Sequence, residues 1–110
     1  MKVTERALQI WPVLAWAARN RQTLTYDQLG RLTGVLVPGL GQCLEPIQAY
    51  CAERGLPPLT ALVVSVSTGL PGAGFTGEAG QVPELQARAF GHDWIAEGCP
   101  RLEDLEAAIA

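Results

Sequence analysis

The sequence has few charged residues and a single histidine. Lysine, arginine, aspartate and glutamate make up 17% of its 110 residues, against about a quarter in typical globular domains. Such a surface is rich in Gln, Thr, Gly and Ala, or it holds an apolar patch for a partner. His92 has no neighbouring set of metal-binding side chains in the sequence. We therefore predict no metal site and no cofactor.

Cysteines are also few, and no two of them are close in sequence. Cys43 and Cys51 lie eight residues apart, which on one helix separates their Cα atoms by about 12 Å. This is too far for a disulfide. Together with Cys99 they are typical of buried thiols in a reducing compartment, so we expect a cytoplasmic protein.

No hydrophobic run is long enough to cross a membrane. The apolar stretch near the amino terminus is interrupted by Glu5, Gln9 and Pro12, and it lacks the continuous apolar region of a signal peptide. The sequence therefore predicts a soluble protein with no membrane partner.

The charge that is present is distributed unevenly. Residues 1–34 contain five basic and two acidic residues, whereas residues 35–110 contain three basic and nine acidic residues. Affinity for nucleic acid comes largely from basic groups that release counterions. Only the first part of the chain could therefore face phosphates.

A length of 110 residues with 48% hydrophobic residues predicts one domain, 1–110, with its own core. Helical spacing predicts a first helix that Thr4 caps and that packs Trp11 and Trp16 inward. Pro12 predicts either a kink in this helix or the start of a new one.

Two further helices follow, joined by a tight turn. Thr25 and Gln28 have the spacing of a capping box, so a helix is expected over 26–33, with Leu29 and Leu32 facing the core. Gly34 has the position of a left-handed helix stop. A longer helix is expected over 38–54, kinked at Pro46.

The next segment favours a strand and a hairpin. Pro57 and Pro58 favour an extended entry, and the β-branched run over 59–66 predicts a buried strand. The glycines and proline over 69–74 then reverse the chain and predict a β-hairpin. The fold class is α+β, a small helical domain with a winged helix-turn-helix core over 25–75 and a β-hairpin wing. Residues 81–110 are expected to form an acidic C-terminal helical appendage.

The central stretch resembles a known family. The segment "TYDQLGRLTG", the Gly-x-Gly-Gln pattern within "VPGLGQCL" and the proline-led strand ending in "LVV" are similar to the winged-helix C-terminal domain of methylguanine-DNA methyltransferases and alkyltransferase-like proteins. This resemblance covers 25–75. It implies a DNA-binding winged helix in which Tyr26 contacts a backbone phosphate.

The chain departs from that family where the chemistry would occur. Where the family has Pro-Cys-His-Arg, this chain has Leu59, Thr60, Ala61 and Leu62, so the nucleophile and its histidine base are absent. A threonine hydroxyl without a base is a poor acceptor of alkyl groups. Pro38 stands where the family has its arginine finger. We therefore predict no catalytic residues and no enzyme activity.

Two functions from different classes follow from this interpretation. The first is a non-enzymatic winged-helix protein, regulatory or defence-related, that binds double-stranded DNA. Its contacts to phosphates and base edges would come from Tyr26, Arg31, Pro38, Gln42, Gln48, Gly69 and Gly72. The alternative is a protein-interaction or inhibitor module that keeps the fold without binding nucleic acid. A homodimer through the first helix or the acidic tail would also fit this alternative.

Overall fold

A computed structural model describes residues 1–110 and has six α-helices and one small parallel sheet. The elements in chain order are α1 (Val3–Arg19), β1 (Leu24–Thr25), α2 (Tyr26–Thr33), α3 (Val37–Arg54), β2 (Val63–Val64), α4 (Val82–Gly91), α5 (Trp94–Glu97) and α6 (Leu102–Ala108). Short 3-10 turns at Leu59–Leu62 and Ala79–Gln81 precede β2 and α4. The predicted α+β class is confirmed.

α1 lies at the centre of the fold and packs against α3, α6 and the 3-10 turn at Leu59–Leu62. It is one helix that continues through Pro12, so of the two predicted alternatives the start of a new helix is wrong. The helix begins after Lys2, and Thr4, the predicted cap, is instead buried inside its first turn. Trp11 and the other buried residues of this helix pack against the core, and this packing stabilises the helix despite the proline.

Aromatic side chains join α1 to both halves of the chain. The Trp11 ring packs edge-on against Tyr50 of α3 and Trp94 of α5, with centroid distances of 5.6 and 5.7 Å. The Trp94 indole donates to the Ala89 carbonyl at 2.8 Å. Ala89, Trp94 and Leu105 belong to the same core cluster as Trp11. Residues 81–110 therefore contribute to the main core.

α2 has the predicted ends, and α3 ends at Arg54 as predicted but begins one residue earlier than expected, at Val37. Thr25 Oγ1 accepts from Gln28 N–H, and Gln28 Oε1 accepts from Thr25 N–H, which forms the capping box. Gly34 ends α2 in the left-handed conformation. Leu29 is fully buried, as predicted, but Leu32 is 61% exposed. The prediction for Leu32 is wrong because the core lies on the Leu29 side of this short helix.

The predicted wing hairpin is absent. Residues 59–62 form a 3-10 turn, and only Val63 and Val64 form a strand. This strand pairs with β1 in parallel, Leu24 opposite Val63 and Thr25 opposite Val64. A hairpin requires an antiparallel partner directly after the turn, and none follows. The 3-10 turn buries all four of its side chains, whereas a strand presents alternate residues to opposite faces.

No helix in the structure has both the length and the apolar character that a membrane crossing requires.

Candidate functional site

Two side chains hold the glycine-rich loop, residues 69–77, against α2 and α3. The Tyr26 hydroxyl accepts from the Gly72 N–H at 2.8 Å. Gln48 donates from Nε2 to the Gly74 carbonyl at 3.0 Å, and its Oε1 accepts from the Thr76 N–H at 3.0 Å. Backbone groups that a partner strand would satisfy in a hairpin are thus satisfied by side chains.

Gly72 permits the close approach of the Tyr26 hydroxyl. A Cβ atom at position 72 would lie 2.7 Å from the Tyr26 oxygen, which is too close for a non-bonded carbon. Gly69 has a φ of 69°, and its N–H donates to the Ser65 carbonyl at 2.7 Å in the turn after β2. Both glycines are therefore required by the backbone path.

A small cleft of about 40 Å³ lies between this loop and α3. The residues that border it include one acidic residue, two with hydroxyl groups and several apolar ones: Tyr26, Leu44, Glu45, Thr60, Pro71 and Phe75. Thr60 is 5% exposed, and its hydroxyl is the one buried side-chain polar atom without a hydrogen-bond partner. A buried hydroxyl without a partner is costly, and Thr60 is one of the residues that border the cleft. Neither Thr60 nor the cleft was predicted as a site from the sequence.

The residues predicted to contact DNA do not all meet at one place. Tyr26, Gln48 and Gly72 come together around the cleft. Arg31 instead borders a recess between α2 and the start of α3, and Gln42 borders another near the amino terminus. The remaining two predicted residues, Pro38 and Gly69, are exposed and border neither the cleft nor these recesses.

Four of the eight basic residues, Lys2, Arg31, Arg54 and Arg101, pair with acids of the same chain. Arg31 contacts Asp27 at 2.8 Å across one helical turn of α2. Arg54, the one basic residue of α3, contacts Asp104 of α6 at 3.8 Å. The exposed side of α3 also presents Glu45 and Glu53. The surface of α2 and α3 therefore has little unpaired positive charge for phosphates.

A second feature is an apolar surface centred on Trp16, which the sequence had placed in the core. Trp16 is 59% exposed, Leu32 61% and Ile95 76%. Trp16 stands between two recesses, one of about 400 Å³ bordered by Pro12, Val13 and Leu32, the other of about 290 Å³ bordered by Ile95. We call Pro12, Val13, Trp16, Leu32 and Ile95 the Trp16 surface. The prediction that Trp16 faces the core is wrong because Trp11 and Trp94 fill that space.

The cysteines are free thiols in different surroundings. Cys43 and Cys51 are buried as predicted, whereas Cys99 is exposed beside the Trp16 surface. Burial raises the pKa of Cys51 to about 11, and it also raises the pKa values of Cys43 and Cys99. None of these shifts favours a thiolate nucleophile.

His92 lies beside Trp94 and contacts Glu97 at 3.0 Å, while Asp93 caps α5 by accepting from the Ala96 N–H at 3.1 Å. No group of three His, Cys, Asp or Glu side chains lies close enough together to hold a metal ion.

No protein-family model, curated protein or solved structure matches this chain. The resemblance of residues 25–75 to alkyltransferase-like proteins therefore stays a prediction.

Proposed function

We propose that the protein is a non-enzymatic protein-interaction module and that its contact surface is the Trp16 surface. The observation that supports this function is the exposure of Trp16 between two recesses with mainly apolar borders, one of which Arg19 also borders. Large apolar side chains that gather on the surface of a small domain mark a place where a partner binds. Tryptophan is also the residue type most enriched among energetically important contacts.

The absence of charge over the middle of α1 supports the same function. From Ala7 to Ala18 the helix has no acidic or basic residue, although Gln9, Pro12 and Trp16 are exposed. Charged residues are depleted at the centres of protein interfaces, whereas the solvent side of an ordinary surface helix is charged. This helix face thus resembles the centre of an interface.

A second copy of the chain is the occupant that fits the Trp16 surface. A two-fold interface must be complementary to itself, and here a projecting Trp16 side chain lies beside two apolar recesses. Two copies packed with α1 against α1 could each place this indole in a recess of the other. The exposed parts of Trp16, Leu32, Ile95 and Pro12 offer on the order of 500 Å² per copy, which reaches the lower limit for a specific dimer.

Sedimentation velocity over a range of concentrations tests this proposal. We expect the wild-type protein to reach twice its monomer mass of 11.7 kDa and Trp16→Glu to stay monomeric, because a buried carboxylate would be desolvated. Val66→Glu is the matched control, since Val66 is 80% exposed and does not belong to the Trp16 surface. A monomer at every concentration, or a Trp16→Glu dimer, would contradict the proposal.

The second candidate function is DNA binding through α2 and α3. The observation that favours it is the predicted helix, turn and helix over 26–54, which has the expected capping box and left-handed glycine. Anisotropy of a labelled DNA duplex at low salt is the test. Under this candidate, binding weakens steeply with added salt and with Arg31→Ala. No change at micromolar protein would exclude it.

A further inference from the structure

We infer that the cleft at Thr60 binds a primary alkylammonium group. This inference is independent of the Trp16 surface and of any dimer. It rests on the charge, the free hydrogen-bonding capacity and the size of the cleft.

The charge of the cleft selects against anions. Glu45 borders the cleft, and no lysine, arginine or histidine does. A phosphate or carboxylate would therefore meet a negative charge with no positive group to balance it. A cation would instead be attracted by the negative charge of Glu45 and by the aromatic residues Tyr26 and Phe75, all of which border the cleft.

The free hydrogen-bonding groups match the three N–H donors of an ammonium. Thr60 Oγ1 is buried without a partner, and Glu45 makes no hydrogen bond or ion pair within the chain. The Tyr26 oxygen accepts from Gly72 and keeps capacity for a further bond. Gln48 does not compete for the ligand, because both ends of its amide are bound to the glycine-rich loop.

The size of the cleft admits only a small chemical group. A volume of about 40 Å³ exceeds the 10–15 Å³ or so that one water requires, but it is too small for a fused ring. An ammonium with its first methylene groups fits. Leu44 and Pro71 supply apolar contacts for those methylenes.

Titration by ¹H–¹⁵N NMR tests the inference with two ligands that have the same head group. One is propylammonium and the other is Nα-acetyl-lysine methylamide; propanol is the neutral control. We expect both ammonium ligands to shift the amide signals of Tyr26, Thr60 and Gly74, and propanol to leave them unchanged. Tighter binding of propylammonium would indicate a small amine as the source, and tighter binding of the lysine derivative would indicate a side chain of another protein.

Substitutions identify the groups that bind. Thr60→Val and Glu45→Gln should each weaken binding about fivefold, whereas Thr60→Ser keeps the hydroxyl and should keep the affinity. Glu53→Gln is the matched control, since it removes the same charge from the same helix away from the cleft. The inference would be overturned if millimolar ligand gave no saturable shifts or if propanol gave equal shifts. Unchanged affinity in both Thr60→Val and Glu45→Gln would also overturn it.

Discussion

Thr60 is buried in the 3-10 turn before β2 and has a hydroxyl without a partner in the chain. Thr33 offers a direct comparison, because its hydroxyl donates to the Leu29 carbonyl at 2.7 Å. Both residues are threonines, but the Thr33 hydroxyl has a hydrogen-bond partner and the Thr60 hydroxyl has none. Such a difference depends on the tertiary packing of the loop and α3, and therefore no local pattern in the sequence could have indicated it.

This contrast leads to a prediction about stability. Thr60→Val should raise the free energy of unfolding by about 1 kcal/mol, because it removes a buried polar group that has no partner. Thr33→Val should lower it by about 1 kcal/mol, because it leaves the Leu29 carbonyl without its side-chain donor. Urea unfolding of both variants is the measurement. A loss of stability in Thr60→Val would show that its hydroxyl is satisfied.

The cysteines give a second prediction at the residue scale. At dilute concentrations and neutral pH, a thiol reagent should modify Cys99 and leave Cys43 and Cys51 intact until the protein is denatured. Cys99 is exposed and the other two are buried, and Cys51 has its pKa raised to about 11 by burial. Mass mapping after brief labelling measures this outcome. Early labelling of Cys51 would contradict the structure.

At the scale of elements, the sequence predicted helices better than it predicted the segment between them. The capping box of Thr25 and Gln28 and the left-handed Gly34 are local features, and they set the ends of α2. The run over 59–66 has strand-forming residues, but tertiary burial of all four side chains favours a 3-10 turn over 59–62. The path of the glycine-rich loop depends on Gln48 and Tyr26, which are distant in sequence.

The contact between this loop and α2 can be tested by coupled substitutions. Gly72→Ala should lower the free energy of unfolding by about 1–3 kcal/mol, because its Cβ would lie 2.7 Å from the Tyr26 oxygen. Tyr26→Phe removes that oxygen, so the double variant should lose less than the sum of the two single variants. Additive losses in thermal or urea unfolding would show that the two residues are not in contact.

The docking of α6 gives a prediction about pH. The pKa of Asp104 is lowered chiefly by the hydrogen bond from the Arg101 backbone N–H; burial opposes this, and the nearby guanidinium groups of Arg101 and Arg54 lower the pKa further. Because the folded pKa lies below the unfolded one, this carboxylate stabilises the fold above an unfolded pKa of about 3.9 and loses that effect as pH falls through the folded pKa.

Asp104→Asn should therefore lower the thermal midpoint at neutral pH, and the difference from the wild type should vanish in acid. Glu103→Gln is the control, since its exposed carboxylate contacts only Arg101 at 3.8 Å. Thermal unfolding across a pH series measures both. An equal destabilisation by Asp104→Asn at neutral and acid pH would contradict this role.

At the scale of the whole molecule, α1 both fills the core and presents an apolar surface. Trp11 is buried between α3 and α5, while Trp16 on the same helix is exposed. Helical spacing alone could not show which tryptophan is buried and which is exposed. Apolar residues lie around most of the helix, and only some of them are needed to fill the core. The shortage of charge did indicate a partner surface, but its location became visible only when the other helices were placed around α1.

The most direct test of the Trp16 surface is an isotope-filtered NOE experiment on an equal mixture of labelled and unlabelled protein. We predict intermolecular contacts from the Trp16 indole to Leu32 or Ile95 of the other copy, because these residues border the two recesses beside it. Val66→Glu should keep these contacts, and Trp16→Glu should abolish the dimer. The proposed function would be contradicted if the intermolecular contacts involved only α2, α3 or the acidic C-terminal segment. It would also be contradicted if no intermolecular contacts were seen at millimolar protein.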